Sequence, residues 1–122
     1  MGDALFGPVD HLIVFVADVA AAAKEYTGKF GFRKVHGDDA DFTVVAPPEG
    51  PWIGLHKSET GKPGEPAIPY FRVKDVRRAM EELARRGIKV GNFHEVPGGL
   101  IATAWDSAGN PLGLYQSMSQ RG

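Results

Sequence analysis

The 122-residue sequence predicts an α+β fold of two tandem βαβββ modules. Three observations predict it: an internal repeat, two helical stripes that each follow a β-rich run and an aspartate, and sixteen glycines with nine prolines, more turn formers than a helical bundle uses. In the repeat, His11-Leu12-Ile13-Val14-Phe15-Val16-Ala17-Asp18-Val19 lies over Ile68-Pro69-Tyr70-Phe71-Arg72-Val73-Lys74-Asp75-Val76, and the two share a Val-x-Asp-Val ending. Further on, Gly50-Pro51-Trp52-Ile53-Gly54-Leu55-His56-Lys57-Ser58 lies over Gly109-Asn110-Pro111-Leu112-Gly113-Leu114-Tyr115-Gln116-Ser117, with Gly, Gly-Leu and Ser in register. The two matches fall in the same order, as a duplicated module requires.

The elements follow in turn. Val9 to Val16 is β-branched and apolar and predicts a strand, after which Asp18 can accept the free N–H groups of a helix start. Val19, Ala22, Ala23, Tyr26 and Phe30 recur at helical spacing, and Gly31 ends that helix. Strands are expected over 32–37, 41–46 and 51–57, closing a first module of about 7–58. Gly61, Pro63, Gly64 and Pro66 mark a linker of about 59–66. The second module, about 67–118, opens on the strand from Ile68 and is capped by Asp75. Its helix has a stripe of Val76, Ala79, Met80 and Leu83, a stop at Gly87, and a solvated face of Arg77, Arg78, Glu81, Glu82, Arg85 and Arg86. Strands over 88–94, 100–105 and 111–117 complete it, with Gly50 and Gly109 turning into the two final strands. Each half is too small to be a domain alone, so residues 1–122 are read as one domain.

Composition removes several classes of function. With 43% hydrophobic and 24% charged residues the chain can bury a core, which excludes a disordered protein, and no apolar run approaches the ~18–20 residues of a membrane span. Fourteen basic against fifteen acidic residues leave a net charge of −1, without the positive field that holds a phosphate backbone, so no nucleic acid and no membrane is expected as partner. Zero cysteines exclude disulfides, thiolate zinc sites and cysteine nucleophiles. The amino terminus lacks the basic and apolar regions of a secretory signal, so a cytoplasmic protein is expected. Pro97-Gly98-Gly99 is a turn without the context of a phosphate-binding loop, and no Ser-His-Asp or paired-carboxylate spacing assigns a catalytic residue.

Several of these segments carry a resemblance. The His11 to Val19 opening, Phe30-Gly31-Phe32 after the first helix, Val73-Lys74-Asp75-Val76, and Asp106-Ser107-Ala108-Gly109-Asn110-Pro111 resemble the vicinal oxygen chelate (VOC) superfamily of glyoxalases, bleomycin-resistance proteins, fosfomycin-resistance enzymes and extradiol dioxygenases. The last run is similar to that family's Asp-Pro-x-Gly-Asn turn, with Ser107 in place of the proline. The resemblance implies modules whose curled mixed sheets form a cup with the helices packed outside, and a homodimer. It also implies metal ligands on the first and last strands of each module. Those positions fall on His11, Ile68, Gly54 and Gly113, of which only the first can bind a metal. No cofactor is therefore expected, a divalent metal being the alternative.

Strand alternation selects the side chains that share the face of His11 and its counterparts: Phe15, Trp52, His56, Tyr70, Arg72 and Tyr115. Each has two readings. His11 is a hydrogen-bonded histidine of the cup or a metal ligand. His56, two residues beyond Gly54, is a core-edge histidine or half of a relocated metal site with His11, for which Glu95 or Asp106 would have to be the third donor. Arg72 meets a ligand anion, or a protein carboxylate at a sheet rim. Tyr70 and Tyr115 donate to a ligand or simply pack, and Trp52 is a stacking platform or a core residue. Gly54 and Gly113 leave room for a ligand or relieve crowding. His36 and His94 are expected exposed, and the face of Trp105 is not assignable. The expected function is binding of a small apolar or aromatic organic molecule in a cup lacking the family's usual metal site. The alternative is a metal-dependent lyase or dioxygenase with a rebuilt site around His11 and His56. A third reading is metal-free acid–base catalysis by His11, His56 or Tyr115.

Overall fold

A computed structural model describes residues 4–62 and 64–118. Its elements run β1 (Val9–Val16), α1 (Val19–Gly28), β2 (Arg33–Gly37), β3 (Phe42–Ala46), β4 (Trp52–Lys57), β5 (Ile68–Arg72), α2 (Val76–Arg85), β6 (Lys89–Val96), β7 (Gly99–Trp105) and β8 (Pro111–Ser117). This is βαβββ twice, the α+β class the repeat predicts. Pro63, one of the linker's turn formers, lies outside the described residues. The chain divides into two compact units, one of His11–Ile68 and one of the residues up to Asp10 together with those from Pro69 on. No helix among the described residues is long and apolar enough to cross a membrane.

In the His11–Ile68 unit, the Asp18 carboxylate accepts the Ala21 N–H at 3.0 Å and starts α1. The strands lie in the order β2-β3-β4-β1, with β1 parallel to β4 and the other neighbours antiparallel. The mixed pattern is what a strand-helix-hairpin-strand order allows, since the helix supplies the long return that a parallel pair needs. One face of this sheet packs on α1: Ala23, Val45 and Leu55 form the buried cluster, with Val14, Val16, Ile53, Tyr26 and Phe32 against it. Leu55 is fully buried, a placement worth about 1.5–3 kcal/mol of apolar transfer.

The second unit repeats the plan. Asp75 accepts the Arg78 N–H at 3.1 Å to start α2, and the helix closes where Ile88 N–H donates to the Leu83 carbonyl at 2.9 Å. Gly87, at φ +85°, makes that closure, a conformation that L side chains resist. The strands lie β5-β8-β7-β6, with β5 parallel to β8. Residues before β1 join this unit: Gly7 N–H donates to the Arg72 carbonyl at 2.7 Å and Arg72 N–H to that of Pro8 at 2.9 Å. The core is Val73, Val76, Ala79, Leu83, Leu100, Ala102, Ala104 and the fully buried Leu114. The Asp106 turn into β8 is built by its own carboxylate, which accepts from the N–H groups of Ala108 and Asn110, both at 2.9 Å.

Candidate functional site

Because alternate residues of a strand point to opposite faces, strand register states which side chains lie away from each helix. In the His11–Ile68 unit, Ile13 stands opposite Gly54 and Phe15 opposite His56 across the parallel pair, while His11 stands opposite Trp52. Across the hairpin, His56 faces Phe42 and Gly54 faces Val44, and His36 faces Val44 in turn. The helix-free face thus brings together His11, Phe15, Trp52 and His56, with Ile13, Phe42, Val44 and His36 added. Trp52 is exposed and the others of the first group are half-buried. Phe42 and His36 are missing from the sequence-derived set, although counting back from His56 through the β3–β4 hairpin would have found Phe42.

The rings on this face touch. Phe42 lies 5.4 Å from the His56 imidazole and 5.7 Å from that of His36, centroid to centroid. Burial holds His56 below the ordinary histidine pKa, and the charge of His11 lowers it further. The imidazole of His56 leans over Gly54: its Nε2 is 3.6 Å, and the Ile13 Cδ1 3.0 Å, from where a Cβ at Gly54 would stand. The space over Gly54, one of the ligand positions that the resemblance implies, is therefore bounded by an isoleucine methyl in tight contact and by an imidazole. Two open grooves of about 700 and 870 Å³ run along α1 and share Asp18, Ala21 and Lys24. Asp18 is engaged by the helix start and Asp39 by Lys34 at 3.0 Å, while Glu25 and Phe15 line the second groove; His11, Trp52 and His56 stand outside both.

In the other unit, Tyr70 stands opposite Gly113 and Arg72 opposite Tyr115. Thr103 faces Gly113 on one side and Gly91 on the other, Ile101 faces Tyr115, and Trp105 faces Pro111 and Lys89. Trp105 thereby gains the face that its sequence context does not assign, and Thr103 and Ile101 join it by alternation. The Tyr70 ring lies across Gly113, where any Cβ would collide with it, and Tyr115 lies against Gly99 in the same way. Burial raises the Tyr70 phenol above its ordinary pKa, so the hydroxyl is neutral. Arg72 Nε donates to Asp10 Oδ1 at 2.6 Å, so a protein carboxylate occupies it. His36 and His94 are exposed.

These placements allow a fit test for the divalent ion that the resemblance implies. Of its four positions, His11 alone carries a donor; Gly54 and Gly113 are overlaid by neighbouring side chains, and Ile68 opens β5 with an aliphatic group. Asp106, one of the two acids that sequence offers as a third donor, is engaged in its own turn. Among the described residues no three His, Asp or Glu side chains group as a metal site. Two imidazoles fall short of the three or four donors that zinc and its neighbours take, so these residues do not fit the inherited ion.

A search of curated protein sequences returned no match. Solved structures do match. A methylmalonyl-CoA epimerase from Mycobacterium tuberculosis is 20% identical with a TM-score of 0.79, over 98% of this chain and 94% of that one. The Streptomyces coelicolor methylmalonyl-CoA epimerase in complex with 2-nitronate-propionyl-CoA is 18% identical with a TM-score of 0.77, over 93% and 99%. A 2,3-dioxygenase from Pseudomonas sp. KL28 is 20% identical with a TM-score of 0.69, over 89% of this chain and 42% of that one. At such identities the likeness establishes the fold. The sequence profile described as Glyoxalase/Bleomycin resistance protein/Dioxygenase superfamily matches residues 9–113, from the first residue of β1 into β8. With the duplicated βαβββ plan and the profile in agreement over nearly the whole chain, this protein belongs to that superfamily.

Proposed function

We propose that this superfamily member binds a small apolar or aromatic molecule on its helix-free sheet faces, without the family's usual metal site. The observation that carries the reading is the filling of the ligand positions: Ile13 and His56 over Gly54, and Tyr70 over Gly113. What stands around these ligand positions is aromatic and aliphatic surface, with Phe15, Trp52 and Phe42 beside the two histidines. Such a surface gains from excluding water from a planar ligand and uses a few polar groups to orient it. The same fold in the Streptomyces coelicolor epimerase accommodates a CoA derivative, which supports a small organic ligand here. A homodimer is part of the proposal, with exposed Trp52 as the surface that a partner or ligand would cover. The absence of cysteine supports a cytoplasmic location.

Calorimetric and thermal-shift screening against aromatic metabolites tests the proposal. Binding that survives a chelator is expected; a protein that responds to no small molecule would overturn it. A second reading, a metal-dependent lyase or dioxygenase rebuilt around His11 and His56, is favoured by one observation. The His56 Nε2 stands over position 54, where the family holds a donor. Metal analysis of the purified protein separates the two: stoichiometric metal, or activity gained from added divalent ions, selects the second.

A further inference from the structure

On the helix-free face of β5–β8, Gly91, Thr103 and Gly113 lie side by side on three neighbouring strands. The two glycines are each overlaid by a ring. The Tyr70 ring lies across Gly113, and the benzo edge of Trp105 rests against Gly91, its nearest atom 3.6 Å from where a Cβ would stand. Thr103 is left between the two rings as the floor of a trough. Its hydroxyl makes no hydrogen bond to any described residue, and since no buried side-chain oxygen or nitrogen among the described residues lacks a partner, that hydroxyl is not sealed from solvent.

Charge on this face is one-sided. The register places Lys89 and Arg72 on it, with no carboxylate from β5–β8; the one carboxylate reaching it among the described contacts is that of Asp10. Arg72 is neutralised by Asp10. Lys89 forms no ion pair among the described residues; its Nζ stands 5.1 Å from the centroid of the Trp105 ring. An exposed ammonium on a ring face is weakly held and can turn to an anion that arrives beside it.

We propose that the Trp105–Thr103–Tyr70 trough takes the ring of a planar aromatic carboxylate, with Lys89 meeting its acid group. This rests on the small-molecule reading above and narrows it to a ligand class. The rings flank the planar group, the Thr103 hydroxyl donates to or accepts from a ring substituent, and the ammonium supplies the one unneutralised lysine charge at the trough's edge.

The test compares 2-naphthoate, 2-naphthamide and cyclohexanecarboxylate by calorimetry, and follows the indole N–H resonances by NMR, with Trp105→Phe used to assign the Trp105 signal. Naphthoate is expected to bind about fivefold more tightly than naphthamide, as an exposed charge pair allows, and to bind more tightly than the non-aromatic acid. It should move the Trp105 resonance. Lys89→Gln should remove the preference for the acid, so that naphthoate and naphthamide bind with equal affinity. Lys89 is exposed, so the variant keeps its fold, which a melting curve verifies. Equal binding of naphthoate and naphthamide, or an unmoved Trp105 signal while other resonances shift, overturns this inference and leaves the small-molecule reading standing. Failure of every aromatic compound in the wider screen overturns both. If Lys89→Gln and Trp105→Phe leave naphthoate binding intact but shift the monomer–dimer equilibrium, the trough is a subunit contact and the inference falls.

Discussion

Gly113→Ala tests whether the glycines of the helix-free faces are there to seat rings. Gly113 has an ordinary strand backbone, so alanine is not resisted by its φ; the obstacle is steric. A Cβ at this position lies closer than 3.0 Å to three atoms of the Tyr70 ring, so the whole ring has to lift off the sheet. Forcing a methyl into packed surroundings costs about 1–3 kcal/mol, or roughly 3–6 °C in Tm per kcal/mol for a chain of this size. Gly91→Ala is the internal control. There the added methyl meets Trp105 atoms at 3.6 and 3.8 Å, ordinary contact distances, and the loss of unfolded-chain freedom favours alanine. Its effect is expected within about 0.5 kcal/mol of zero or stabilising. Urea denaturation of both single variants, of Tyr70→Ala and of Gly113→Ala/Tyr70→Ala closes a double-mutant cycle. In the double variant the ring is absent, so alanine at 113 should be tolerated, with a coupling of at least about 1 kcal/mol. A Gly113→Ala protein as stable as the parent, or a coupling near zero, would refute the claim that Tyr70 occupies that space.

Other outcomes follow from single contacts. Asp18→Ala and Asp75→Ala each remove a carboxylate that accepts a helix-start N–H, at 3.0 and 3.1 Å, and each should lower stability by about 1 kcal/mol in chemical denaturation. His56 is held below the ordinary histidine pKa of about 6.5, first by burial and then by His11, so below that pH the unfolded chain binds the proton that the folded one refuses. Stability should therefore fall as pH drops from neutrality through about 6.5 towards the lowered folded value, and His56→Gln should remove that part of the slope; an unchanged slope contradicts the assignment. Leu55→Ala should cost about 2–5 kcal/mol, because the side chain is fully buried beneath α1, and a loss under 1 kcal/mol would mean the α1 core is not packed as described.

The helices, strands and their order were legible because duplication supplied a second copy of each signal. Asp18 and Asp75 mark both helix starts, and the expected strands over 41–46, 51–57, 100–105 and 111–117 differ from β3, β4, β7 and β8 by at most one residue at either end. The pairing of Phe15 with His56 and of Arg72 with Tyr115 comes from the strand register, whereas alternation groups Phe15 with His11, and Arg72 with Tyr70, within their own strands. Two bulges limited it. Between Lys34 and His36 the register shifts, so that Lys34 faces Val45 but His36 faces Val44. Two residues that strict alternation would keep together thus point to opposite faces. In β6 an extra residue falls between Gly91 and His94, where Asn92 takes φ +55°, and it returns His94 to the face of Gly91. A two-residue period carries no sign of such an insertion. The pairing of glycines with rings was also hidden, since Gly113 and Tyr70 are far apart in sequence and meet only through the parallel β5–β8 register.

The most direct measurement of the central claim is a calorimetric titration with an aromatic ligand from the screen, run with EDTA and again with added zinc or nickel, with the bound state mapped by NMR shifts. The account predicts the same affinity under all conditions, with the shifted resonances on a helix-free sheet face: His11, Phe15, Trp52 and His56 in the His11–Ile68 unit, or Tyr70, Thr103, Trp105 and Tyr115 in the other. Binding that disappears in EDTA and returns with the metal, or shifts confined to α1 and α2, would contradict it.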